Sequence, residues 1–205
     1  KDLFKKLDSL EELRLQSSYN TGSISSTTSW LLYSVVLFFK PKIIVEVGSF
    51  IGKSTFSMAF AADTYFKENE CSIYCCDYSN EINFPNFTST KIMQFHKKSS
   101  TEMFKYFESE QKFDLIHLDG RLQNEDFDLL KNNLNDKSVF ILDDFEGNEK
   151  GVINFTNLLN NNLISRSSHC LIYPIQNETK TKYNLLEEST SAVLMPLKTL
   201  NITNQ

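Results

Sequence analysis

The sequence is poor in the residues that usually announce a special class. Its four cysteines, Cys71, Cys75, Cys76 and Cys170, lack the paired spacing of a zinc site and the density of a disulfide scaffold, so buried, reduced thiols are expected. No apolar run approaches the ~20 residues of a membrane helix. The longest, Trp30 to Phe39, is interrupted by Ser34. Positive charge is also scarce: 21 basic residues, three of them Arg, face 26 acidic ones. That balance offers a phosphate backbone no general attraction. A cytoplasmic protein with neither nucleic acid nor membrane as partner is the expectation, with a homo-oligomer left open. Glycine (6) and alanine (4) are few beside 19 asparagines. This excess reads as coding bias, and makes the Asn-x-Ser/Thr patterns at Asn86, Asn154, Asn177 and Asn201 chance matches.

What is present fits one α/β domain over residues 1–205: a helical cap (1–40), a core (41–165) and a terminal strand pair (166–205). Leu3, Leu7, Leu10 and Leu13 recur at helical spacing. A hydroxyl-rich loop, 17–29, precedes a helix over Trp30–Phe39 that Pro41 stops. Trp30 and Tyr33 are assigned to core packing of that helix rather than to a substrate mouth. The β-branched run Ile43–Val47 (IIVEV) reads as a central parallel strand carrying one carboxylate, Glu46. Helical patterns follow at 54–66, 100–108, 125–134 and 152–163, alternating with strand patterns at 72–77, 91–95, 113–119 and 138–143. Such alternation predicts a doubly wound, mostly parallel sheet. Two further strands, 169–175 and 191–197, without a helix between them, predict an antiparallel pair at one edge and a sheet of seven strands.

In such sheets ligands bind beyond the carboxyl ends of the strands. There the first strand runs into Val45–Gly52 (VEVGSFIG). The Walker phosphate loop fails because Val47 stands where its first glycine belongs. The dinucleotide fingerprint fails because Phe50 replaces its second glycine, which argues against a nicotinamide-dependent oxidoreductase. The remaining pattern, E-x-G-x-x-x-G from Glu46 to Gly52, resembles the first motif of the class I S-adenosylmethionine-dependent methyltransferases. The resemblance spans roughly residues 20–165 and implies that Glu46, Gly48, Ser49 and Gly52 cradle the cofactor. It also implies that Asp77, 25 residues after Gly52, holds the ribose hydroxyls, that Ser99 and Ser100 lie by the adenine, and that Asp119 borders the cofactor.

Asp119 ends one strand pattern and Asp143 and Asp144 end the next. Carboxylates so gathered call for a cation or a proton, since unit charges ~4 Å apart repel by about 4 kcal/mol at an effective dielectric near 20. All-oxygen ligands favour Mg²⁺, with Ca²⁺ or Mn²⁺ possible, over zinc. The same positions resemble the metal-dependent O-methyltransferases of the catechol and macrolide-sugar type. That resemblance implies a metal held by Asp119, Asp143 and Asp144, catalytic roles for Asp119 and Asp144, and a small-molecule hydroxyl as acceptor. One departure stands out: Leu122 occupies the position of those enzymes' base. Arg121 stays protonated and is a poor substitute, His117 reads as a buried structural histidine, and Lys150 and His169 enter only by elimination. Lys97 and Lys98 read as a solvated face. Thr21, Ser23 and Ser25 are placed either at the cofactor's carboxylate or as helix caps. A non-catalytic nucleoside-binding module with the same fold is the alternative.

Overall fold

Residues 43–47 are β-branched but for Glu46, and they form the middle of the sheet because both faces are covered by helices. The computed structural model describes Lys5 and residues 23–68, 70–145, 149–164, 169–172 and 190–194. The helix expected from Leu3, Leu7, Leu10 and Leu13 and the hydroxyl of Thr21 lie outside the described residues. In chain order the elements are α1 (Ser26–Phe39), β1 (Ile43–Val47), α2 (Lys53–Tyr65), β2 (Cys71–Asp77) and β3 (Thr90–His96). There follow α3 (Ser100–Phe104), β4 (Leu115–Leu118), α4 (Asp126–Asn133), β5 (Val139–Leu142), α5 (Lys150–Asn160), β6 (His169–Ile172) and β7 (Ser191–Leu194).

The seven strands lie in the order β3-β2-β1-β4-β5-β7-β6. Strands β1 to β5 run parallel, whereas β7 is antiparallel to both β5 and β6. The expected antiparallel pair is therefore present at one end of the sheet, with its second strand inserted between β5 and the first. Side chains alternate along each strand, so Ile44, Ile73, Leu115 and Ile141 pack with Leu32, Val36 and Met58 of α1 and α2. Their neighbours Val45, Ile116 and Phe140 pack on the opposite face with Phe104, Phe127 and Leu158 of α3, α4 and α5.

Some boundaries differ from the sequence reading for local reasons. Helix α1 starts at Ser26, four residues before Trp30, because Ser25, Thr28 and Ser29 of its cap and first turn hydrogen-bond to one another. Ser25 is the cap, accepting from the Thr28 N–H at 3.0 Å, and Ser29 Oγ donates to the Ser25 carbonyl at 3.1 Å. Helix α3 ends at Phe104, and a tighter turn sets Phe107 edge-on against Phe113, with ring centroids 4.7 Å apart. Tyr33 packs beside Phe60, but Trp30 is 39% exposed, which corrects its assignment to the core. The cysteines with described side chains are free and buried, and burial pushes the Cys71 thiol up to about 12. No described helix is long and apolar enough to cross a membrane.

One polar pair crosses the interior. Glu46 and His117 are register partners on β1 and β4, both fully buried, with His117 Nδ1 3.0 Å from Glu46 Oε1. Thr55 of α2 donates a second, short hydrogen bond to the Glu46 carboxylate. Taking away one member of a buried pair leaves the other without compensation. Replacing Glu46 with Ala is expected to lower the unfolding free energy by about 3–5 kcal/mol, measured by urea denaturation.

Candidate functional site

The exits of β1, β2, β4 and β5 converge on one rim of the sheet. At the β1 exit Gly48 adopts a φ of +91°, and a Cβ there would stand 2.7 Å from the Asp119 carbonyl carbon and the Gly120 nitrogen. Only glycine allows this approach, which sets the β1 turn against the β4 exit. The turn continues through Phe50, also left-handed (φ 43°), whose N–H donates to Asp77 Oδ2 at 2.9 Å. The Ser79 N–H donates to the other Asp77 oxygen at 2.7 Å. Each oxygen of Asp77 thus accepts one backbone bond and keeps a lone pair for a ligand.

A cavity of about 460 Å³ opens at this rim, within the range of small-molecule sites. Gly48, Asp77, Ser100 and Asp119, four of the residues expected at the cofactor, line it. Glu46, Ser49, Gly52 and Ser99 do not, each for a physical reason. Glu46 is spent on His117 and Thr55 beneath the rim. Ser49 is buried beside Ser23, Ile24 and Lys53 in a separate small void. Gly52 caps α2 in a left-handed conformation, where a Cβ would meet the Phe84 ring at 2.7 Å. Ser99 caps α3 in a reciprocal box with Glu102. Even the Ser100 hydroxyl is given to buried Asp126, at 2.5 Å.

The lining also holds residues that sequence reasoning passed over, among them Tyr78 and Gln123. Lys98, read as solvated, lines it too while pairing with Glu102. Leu122 is buried in the core, its N–H tied to Asn154 of α5, so no base stands there. His169 begins β6 opposite Leu194, as Phe140 does near the start of β5, so it lies at the far end of the sheet from this rim.

The three aspartates meet as expected: Asp119, Asp143 and Asp144 each offer an oxygen, all within 4.8 Å of one another. The sequence did not foresee that Lys150, the first residue of α5, joins them. Its Nζ lies 2.7 Å from Asp119 Oδ1 and 2.8 Å from Asp144 Oδ2. Asp143 Oδ1 accepts from Ser191 Oγ at 2.8 Å and from Thr28 Oγ1 at 3.3 Å. The donor set suits a hard cation by chemistry. As arranged it does not fit one, because an ammonium already spans two of the three carboxylates. The signal that could have revealed this is Gly151. A Cβ there would stand 2.3 Å from the Asp143 carbonyl oxygen, so glycine lets α5 start directly on the β5 exit.

Crowding shifts the titrations. Burial and the neighbouring Asp143 push Asp119 up to about 7, against the pull of Lys150 and His117. Burial also raises Asp143, with His117 and Ser191 opposing. For His117 burial works against the charge, but the hydrogen bond and charge of Glu46, with Asp119 and Asp143 beyond, more than offset it and raise its pKa. Lys150 is likewise raised despite burial, by Asp119 and Asp144. The cluster therefore keeps its ammonium, while burial and crowding favour the protonated form of its carboxyl groups.

Residues 45–145, about half of the chain and the part that builds this rim, match the family model of a methyltransferase domain. The segment that builds the rim is thus similar to a methyltransferase domain, set in a sheet whose order is that of the class I methyltransferase fold. No curated protein matches it in sequence. Among solved structures, the O-methyltransferase TomG from Streptomyces achromogenes, involved in tomaymycin synthesis and in complex with S-adenosylmethionine, is similar at 12% identity. Its TM-score is 0.63, over 92% of this chain and 88% of that one. The Bacillus cereus O-methyltransferase in complex with SAH is similar at 13% identity and a TM-score of 0.61, over 93% and 90%.

Because Asp119 and Asp143 bind protons more tightly folded than unfolded, this cluster loses stability as pH rises from about 4 through about 7, and the raised His117 adds its own loss only above about 6.5. In urea unfolding across that window, Asp119→Asn should show a smaller loss than the wild type.

Proposed function

We propose that this chain transfers the methyl group of S-adenosylmethionine to a hydroxyl oxygen of a small molecule. One observation carries the reading: a single cavity is lined both by Gly48 and Asp77 of the nucleoside turn and by Asp119 and Lys150 of the charged cluster. S-adenosylmethionine, when bound, supplies a methyl carbon on a positively charged sulfur. The free lone pairs of Asp77 accept the two ribose hydroxyls, and the Gly48 turn, with no side chain, lets the ligand come close to the backbone. Phe50, Tyr78 and Leu122 give the cavity apolar walls.

Asp119 is the base in this proposal. A carboxyl pushed up to about 7 is matched to proton transfer near neutral pH. As the acceptor oxygen attacks in line, its proton passes to Asp119, which answers the loss of a base at Leu122. Asp144 acts from the other side of Lys150 and fixes where that ammonium stands. The cluster and the turn together hold nucleophile and methyl donor in one geometry, which is much of what a methyl transfer requires. The Mg²⁺ expected at Asp119, Asp143 and Asp144 is not carried into the proposal, because Lys150 spans two of them.

Calorimetry with S-adenosylmethionine and its demethylated product is expected to show one site, weakened at least about tenfold by Asp77→Ala through two lost hydrogen bonds to a charged group. Labelled methyl should move to a pool of hydroxylated acceptors, and Asp119→Asn should cut the rate about 10²–10⁴-fold while leaving cofactor affinity nearly unchanged. Binding without any transfer would favour the non-catalytic nucleoside module.

A further inference from the structure

We infer that the Lys150 ammonium is the resident cation of the Asp119–Asp143–Asp144 cluster and that it excludes a divalent ion. Each carboxylate is already served from within the chain. Lys150 Nζ makes charge-assisted contacts of 2.7 and 2.8 Å to Asp119 and Asp144, and the hydroxyls of Ser191 and Thr28 serve Asp143. A divalent ion on the same oxygens would sit against a fixed positive charge unless Lys150 left both partners.

The backbone makes that departure difficult. Lys150 opens α5, at the positive end of the helix dipole, where a cation is disfavoured, and the first turn holds no acidic residue to offset it. Asp119 and Asp144 are what hold it there. Gly151 then docks the helix start on the β5 exit, its N–H donating to the Asp144 carbonyl at 3.2 Å and its absent Cβ leaving room for the Asp143 carbonyl. Asp144 itself is left-handed (φ 53°), a conformation aspartate tolerates better than most residues. Lysine and carboxylates are thus tethered to one another through adjacent, closely packed backbone.

The exclusion of metal stands on this geometry alone. What the ammonium does there rests on the O-methyl-transfer reading: Lys150 lines the cavity and faces the oxygen that becomes negative as Asp119 takes its proton. A positive charge pre-set at that point stabilises the developing anion with no exchangeable ion.

Mn²⁺ electron paramagnetic resonance tests the exclusion directly. Wild-type protein in about millimolar Mn²⁺ should leave the free-ion spectrum unchanged. Lys150→Gln and Lys150→Ser, with circular dichroism reporting that each is folded, should bind Mn²⁺ at least about tenfold more tightly once the competing charge is gone. Lys150→Arg should stay blind to it. Mn²⁺ binding by the wild type, or no gain in either neutral variant, would overturn the proposal. Calorimetry with the demethylated cofactor on the same samples reads the cofactor site separately, so a failure of the methyl-transfer reading would appear there and leave the metal result standing.

Discussion

The site depends on a contact that never reaches it. Glu46 and His117 face each other in the β1–β4 ladder, fully buried and hydrogen-bonded, and this pairing pins the register of the two central strands. In a sheet a slip of one residue turns every side chain to the opposite face. Such a slip here would bury a carboxylate and an imidazole without partners. With the register fixed, Gly48 arrives against Asp119 and Gly120, and the nucleoside turn is joined to the acidic rim.

From that junction the chemistry is a problem of charge in a tight space. Three carboxylates approach one another at the ends of adjacent strands, and the fold answers with an ammonium and two hydroxyls rather than with distance. The raised carboxyl of Asp119 follows from burial and from Asp143. The same crowding that costs stability as pH rises is what suits Asp119 to the base role proposed for it.

The glycines and strand-end carboxylates were legible because both are local signals. Gly48 and Gly52 adopt positive φ, and Asp77, Asp119, Asp143 and Asp144 fall at strand ends that hydrophobic runs delimit. The first turn of α1 reads as loop because a run such as Thr27-Thr28-Ser29 resembles one until Thr28 finds Asp143 and Ser191 and Ser29 finds the Ser25 carbonyl. Glu46, expected at the cofactor, instead has its side chain engaged by His117 and Thr55, because a motif does not say which way a strand residue faces. Lys150 is hard to read from sequence because its partners are 31 and 6 residues away, and nothing local marks it except the glycine that follows.

The sequence by itself determined the alternation of strands and helices, the glycine turn and the acidic strand ends, because each is written in short-range periodicity or in one residue's backbone freedom. The tertiary structure decided which of those groups share a space. Only packing could turn Glu46 inward to His117, insert β7 between β5 and β6, and bring the start of α5 down on the β5 exit. Through that last contact a lysine from the next element became the cation of the cluster.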